Sequence, residues 1–294
     1  KPILYYHCFL DNWAPNEERF KAERVLKSDG TQTDYGGAYS YDKVFLPTLQ
    51  NGFGAETAKN IDLILGPCGA EGIFWDEMEY SVTEFHYGKP WDGVSGDIDP
   101  TTFKLRNKKS SVTLLSQEFR AHHIKRIMER GPLIANGSPH TRTIARLKFQ
   151  RFTETGSIAN CAKTLLYSPV ALGDHLSERT EEDAYRVMLA ALDYGCVYNW
   201  YSDLIIPTHK TLASYMFPIT PLELHEGYIL GKERIITKAS GLYGWGDQSS
   251  HEVHVFNEKG EEATDFKAPL VKRNEQTFTE LRIAEGWSAA IIRK

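Results

Sequence analysis

The sequence predicts an α/β chain in which a TIM-type (β/α) barrel is followed by a small antiparallel β-sandwich. Short apolar runs alternate with helix-periodic segments through residues 1–217, the pattern of parallel strands joined by crossover helices. Each apolar run ends in polar or aromatic residues, as barrel strands do where they emerge at the C-terminal face. After Pro218 no helical period remains, and residues 218–294 read as short strands. A doubly wound sheet is the alternative for the first part. Neither GxGxxG nor GxxxxGK follows the first strand, so nucleotide binding has no support.

In chain order, Pro2-Ile3-Leu4-Tyr5-Tyr6-His7-Cys8-Phe9 is the first strand, leaving through Leu10-Asp11-Asn12-Trp13. Residues 14–54 are irregular and rich in Gly, Asp, Asn and Tyr, and a connection of that length usually carries function or is mobile. Ala58, Ile61 and Leu65 give helical spacing over 55–65, stopped by Gly66-Pro67. Gly72 to Trp75 is the next strand, and residues 80–110 form a second long loop. Leu115, Phe119, Ile124, Ile127 and Met128 make the apolar stripe of a helix over 112–130, closed by Gly131. Strands follow at 132–135, 151–155 and 164–167. Thr180, with Asp183 at the third helical position, forms a capping box and starts a helix over 181–194. A strand at 195–198 leads into Asn199-Trp200-Tyr201. In the last part, strands are expected at 234–238, 252–256, 278–283 and 287–292, with a turn at Asn257-Glu258-Lys259-Gly260. The first part supplies about six strands, where a complete barrel has eight. That shortfall and the opening on Lys1-Pro2 directly before a strand imply that one or two N-terminal units of the same protein precede this chain.

Composition narrows the functional classes. With 294 residues and 41% hydrophobic content, the chain can build a large core, which argues against disorder. A net charge of -5 with both signs scattered gives no footprint for nucleic acid. No apolar run approaches the ~18 residues of a membrane span, so no membrane insertion is expected. The cysteines Cys8, Cys68, Cys161 and Cys196 are widely spaced and form no CxxC, against a zinc ribbon or thioredoxin-type site. No HExxH and no compact His/Cys cluster occurs, and His122-His123 reads as helix surface or packing. No metal or cofactor is expected. The absence of GxSxG argues against a serine hydrolase.

The stretch Gly72-Ile73-Phe74-Trp75-Asp76-Glu77-Met78-Glu79-Tyr80-Ser81 carries the chemistry. Unpaired buried charge is too costly for three carboxylates to lie inside a strand, so they belong where the strand opens into a cleft. Carboxylates beside aromatics at such a position suit a carbohydrate substrate, because glycosidic bonds are commonly cleaved by two carboxyl groups. One protonates the leaving oxygen; the other attacks the anomeric carbon or activates water. Asp76 and Glu77 are the catalytic candidates, with Glu154 in Phe152-Thr153-Glu154-Thr155-Gly156 as the partner and Asp11 and Asp203 as further acids. The competing reading is that Asp76 or Glu77 caps a helix or pairs with an arginine. Substrate contacts are expected from His7, Asp11, Trp75, Glu79, Asn136, His140 and Trp200, with Tyr201 a further stacking candidate. His7 and the aromatics fit a core position as well. Asn136-Gly137-Ser138-Pro139-His140 also fits a plain turn, and its first three residues fit a glycosylation acceptor.

A barrel strand ending in clustered acids, followed by a β-sandwich, resembles the glycoside hydrolases of the α-galactosidase and α-glucosidase superfamily. In family 31 the nucleophile strand reads roughly G-F-W-I-D-M-N-E-P-S; Gly72, Asp76, Glu79 and Ser81 fall in register with it. Glu77 stands in place of Met, Met78 of Asn and Tyr80 of Pro. The resemblance implies that Asp76 is the nucleophile. The adjacent Asp76-Glu77 pair is also similar to substrate-assisted N-acetylhexosaminidases, which implies an Asp that orients the N-acetyl group and a Glu that is the acid. A reading from another class remains: a non-catalytic glycan-binding protein whose acids only hydrogen-bond hydroxyls.

Overall fold

The computed structural model describes residues 2–154, 159–160, 162, 168–173, 178–201 and 205–294. It is a mixed α/β chain with parallel and antiparallel strands, and its contacts divide it into two compact units, Lys1–Arg151 and Phe152–Lys294. The expected domain boundary between 217 and 218 falls inside the second unit.

In the first unit, β1 (Ile3–Tyr6), β2 (Gly72–Trp75) and β3 (Leu133–Asn136) run parallel. Tyr6 lies opposite Trp75, and Trp75 opposite Ala135. The connecting helices are α1 (Gly52–Leu65) and α2 (Gln117–Met128). α1 starts three residues before its apolar period does, because the Asn51 side chain accepts the Gly54 N–H at 2.8 Å and caps the first turn. The expected single helix over 112–130 is instead a turn, Val112–Leu115, followed by α2. Ser116 sits at the break, with its hydroxyl turned back to the Val112 carbonyl at 2.7 Å. Met128, expected in the apolar stripe, is 43% exposed.

Successive strand side chains point to opposite faces. One face places Tyr6, Ile73, Trp75, Leu133 and Ala135 against Ile61 of α1 and Phe119, Ile124 and Ile127 of α2, forming the main core. Each isoleucine, leucine or phenylalanine among them, fully buried, contributes roughly 1.5–3 kcal/mol. Tyr6 meets the Trp75 ring edge-on at 4.9 Å. His123 belongs to this packing at 4% exposure beside Phe119, and burial pulls its pKa down to about 4. A Cβ on Gly131 would lie 1.9 Å from the Glu71 carbonyl oxygen, so only glycine lets the chain pass so close to the start of β2. The other face of the sheet carries Tyr5, Phe74, Asp76 and Asn136.

In the second unit, β4 (Gln150–Glu154, crossing the division), β5 (Val170–Leu172) and β6 (Val197–Asn199) are parallel, with Thr153 opposite Ala171 and Ala171 opposite Tyr198. β5 was not expected, and the strand expected at 164–167 lies outside the described residues. α3 (Glu181–Leu192) begins at the expected capping box: Thr180 Oγ1 accepts the Asp183 N–H, and Asp183 Oδ2 accepts the Thr180 N–H, both at 3.1 Å. Eight antiparallel strands follow: β7 (Pro221–His225), β8 (Tyr228–Gly231), β9 (Arg234–Thr237), β10 (Gly241–Tyr243), β11 (His251–Phe256), β12 (Leu270–Arg273), β13 (Gln276–Leu281) and β14 (Ser288–Arg293). They form a five-stranded sheet in the order β7-β8-β9-β14-β11 and a three-stranded sheet, β10-β13-β12. Ile235, Val255, Ala289 and Ile291 of the first share a core with Tyr243 and Leu281 of the second. Ile229, Ile236, Phe256 and Ala290 share another with Ala184, Tyr185, Met188 and Leu192 of α3. Cys8 and Cys196 are buried, Cys68 is exposed, and Cys161 lies outside the described residues. Among the described residues no helix is long and apolar enough to cross a membrane.

Candidate active site

The aligned C-terminal ends of β1, β2 and β3 bring His7, Asp76 and Asn136 to one edge of the sheet. The Asp76 N–H continues the ladder by donating to the Tyr6 carbonyl at 2.9 Å, which fixes where its side chain starts. The carboxylate is held by two neutral donors. Tyr5 donates its hydroxyl to Oδ2 at 2.9 Å, and Asn136 donates its amide to Oδ1 at 2.8 Å. Among the described residues no lysine or arginine pairs with Asp76, so its negative charge is oriented without being neutralised. Burial of the Tyr5 hydroxyl and the Asp76 charge both push the phenol pKa up.

Glu77 takes a left-handed backbone, φ 44°, which costs a non-glycine residue on the order of 1–3 kcal/mol and recurs at functional sites. The turn aims its carboxylate back toward β1. His7 Nε2 donates to Oε2 at 3.0 Å, Tyr35 donates its hydroxyl to Oε1 at 3.1 Å, and the Ser81 hydroxyl also donates to Oε2. The His7 tautomer follows from its other nitrogen. Nδ1 accepts the N–H groups of Phe9 at 3.0 Å and Leu10 at 3.2 Å, so the ring proton sits on Nε2. Burial alone would raise the Glu77 pKa, but the bonds from His7, Ser81 and Tyr35 outweigh it and hold the carboxyl below its ordinary value. A depressed folded-state pKa stabilises the fold above the unfolded value of 4.5, and that stabilisation is lost as pH falls through the folded pKa. The melting temperature of the parent is therefore expected to fall more steeply below pH 4.5 than that of Glu77→Gln. Parallel curves in differential scanning fluorimetry across that range would remove this role.

The other expected residues are placed as follows. Trp75 is fully buried in the helix-side core and offers no ring face to a sugar, correcting its expected role in substrate contact. Glu79 is corrected likewise. It is 3% exposed and ion-paired with Arg120 Nη1 at 2.6 Å, with Arg151 Nη1 at 3.7 Å. Arg151 also donates to the Gly137 carbonyl at 3.0 Å, so this buried cluster anchors the loops that leave β2 and β3. His140 is exposed and packs on Tyr80 at 5.3 Å. Asp11 accepts the Trp13 N–H and the Asn16 side-chain amide, both at 2.8 Å, closing the turn that begins the short helix Ala14–Arg19. In the second unit, Glu154 is exposed at the end of β4, and Trp200 is half-buried with its ring edge-on to Tyr198 at 6.2 Å. Tyr201 is exposed, and Asp203 lies outside the described residues.

A cleft of about 390 Å³ is lined by Tyr5, His7, Leu10, Asp11, Asn12, Trp13 and Asp42. Two of these residues, Tyr5 and His7, are the ones that bond Asp76 and Glu77. Tyr5, Tyr35, Asp42 and Ser81 are site residues that sequence reasoning did not single out. The tyrosine-rich run Asp34-Tyr35-Gly36-Gly37-Ala38-Tyr39-Ser40-Tyr41-Asp42 was the available signal. Among the described residues no group of three His, Cys, Asp or Glu side chains is arranged to hold a metal ion.

Neither a protein-family model nor a curated protein matches this chain. Among solved structures it is similar to glycoside hydrolases. A family 31 dextranase from Flavobacterium johnsoniae, complexed with glucose, aligns with 99% of this chain and 43% of its own at 11% identity, TM-score 0.46. A family 31 sulfoquinovosidase from E. rectale, with an aza-sugar inhibitor, aligns with 99% and 50% at 14% identity, TM-score 0.45. The cycloalternan-forming enzyme of Listeria monocytogenes, with a pentasaccharide substrate, aligns with 99% and 32% at 7% identity, TM-score 0.46. The chain spans half or less of the length of these enzymes.

Proposed function

We propose that this chain is the catalytic part of a glycoside hydrolase, with residues 1–217 as a TIM-type (β/α) barrel domain and residues 218–294 as a β-sandwich domain. The observation that carries the reading is Asp76: a carboxylate at the C-terminal end of a parallel strand, oriented by Tyr5 and Asn136, with Tyr5 also lining a cleft at the end of β1. A nucleophile must stay ionised and keep a lone pair aimed outward. Two neutral donors orient the carboxylate while leaving its charge available to attack an anomeric carbon. Hydrolysis through Asp76 would pass through a covalent glycosyl-enzyme and retain anomeric configuration.

Glu77 acts as a positioning residue for His7, Tyr35 and Ser81, which bond its carboxylate next to Asp76 in sequence. A general acid needs a raised pKa, and that of Glu77 is lowered, so the substrate-assisted scheme with Glu77 as acid is the less supported one. Glu154 is the proposed general acid. The glycan-binding alternative would gain if the acids were locked by arginines. The arginine pairs fall instead on Glu79. The test is turnover on a panel of aryl α- and β-glycosides. Hydrolysis of at least one is expected; sugar binding with no turnover of any would mean a binding protein.

A further inference from the structure

We propose that the tyrosine-rich loop beside Glu77 is an extended sugar-binding strip and that the substrate is a neutral chain of several sugar units; this rests on the glycosidase reading above. Tyr35 reaches Glu77 with its hydroxyl, Tyr39 meets the Tyr35 ring edge-on at 6.1 Å, and Tyr41 meets Tyr39 at 6.2 Å. The three rings are 41%, 56% and 54% exposed, so a run of solvent-facing aromatic surface adjoins the carboxylate. Trp13, 60% exposed, stands on the cleft that His7 and Asp42 also line. Sugar rings present C–H faces to such aromatics, and rings with a polar tip serve ligands that are part apolar and part wet.

The loop is built to hold its shape. Gly36 and Gly37 take left-handed backbone, φ 83° and 56°, and form the turn. The Tyr35 N–H donates to the Asp42 carbonyl and the Asp42 N–H to the Tyr39 carbonyl, both at 3.0 Å. Lys43 Nζ donates to the Ser40 carbonyl at 2.8 Å and sits 3.6 Å from the Asp34 carboxylate. Rings fixed before binding lose less entropy when a ligand arrives.

Charge selects among glycans. The cleft and its neighbouring acids present Asp11, Asp42, Asp76 and Glu77, and among the described residues no lysine or arginine lines it. Lys43 is the nearest cation in sequence, and Asp34 and Ser40 occupy it. Sulfated or uronic chains would meet like charge.

The test is calorimetric titration of the Asp76→Asn chain, which blocks turnover, with gluco-, xylo-, manno- and galacto-oligosaccharides of increasing length, and with sulfated and uronic oligomers. At least one neutral series should gain roughly tenfold or more in affinity from monosaccharide to hexasaccharide. Tyr39→Ala/Tyr41→Ala should lose that gain, Tyr39→Phe/Tyr41→Phe should keep it, and every anionic series should bind more weakly. Affinity independent of length in all neutral series, an unchanged alanine variant, or equal affinity for anionic chains overturns the proposal. Length-dependent binding by a parent that hydrolyses nothing would uphold the strip and remove only the hydrolase reading.

Discussion

Asp76→Asn is expected to lower kcat on an aryl glycoside on the order of 10⁴-fold, the scale seen when a member of a catalytic group is removed. The substitution keeps shape and volume and deletes the charge that attacks. The Tyr5 hydroxyl can still donate to the amide oxygen, and a flip of the Asn136 amide lets its oxygen accept from the new NH2, so the backbone need not move. Affinity for the sugar should stay within a few-fold, because ground-state contacts survive, and the melting temperature should change little. Steady-state kinetics, titration and scanning fluorimetry on the same preparation read all three. Activity within tenfold of the parent would take the reaction away from Asp76.

Glu79→Gln should be the most destabilising single-atom change in the first unit. Glu79 lies between Arg120, fully buried, and Arg151, 4% exposed. Neutralising it leaves two buried guanidinium groups without the carboxylate that pairs them. Breaking a buried pair by removing one partner costs about 3–5 kcal/mol. For a domain of this size, that corresponds to a drop of roughly 6–20 °C in melting temperature, at about 2–4 °C per kcal/mol. Activity should fall with it, because Arg151 also holds the Gly137 carbonyl next to Asn136, which orients Asp76. A drop of less than about 2 °C in calorimetry would mean that the cluster is solvated and not structural.

What could be read from the sequence was local. β2 occupies the residues its apolar run marks, and α3 starts at its capping box, because both signals reside in consecutive residues. The acids at the end of β2 were recognisable for the same reason: charge cannot continue an apolar run inward. What could not be read was long-range. Tyr35 and Glu77 meet across 42 positions, and Glu79 finds Arg120 across 41. No period records such pairings. Trp75 and Asp76 are adjacent, yet strand alternation sends one to the core and the other to the strand-end site, and the sequence does not say which face the helices cover. The left-handed Glu77 was equally hidden, since a glutamate carries no mark of a backbone it rarely adopts. In residues 218–294, β7, β8, β10 and β12 escaped notice because they are short and interrupted by glycine or charge.

Covalent trapping addresses the nucleophile itself. The parent chain would be incubated with a 2-deoxy-2-fluoroglycosyl fluoride of whichever sugar it hydrolyses, then digested and mapped by mass spectrometry. One glycosyl adduct, on the Asp76 carboxylate, is the expected result. An adduct on another acid, or turnover with inverted anomeric configuration and no adduct, would contradict it.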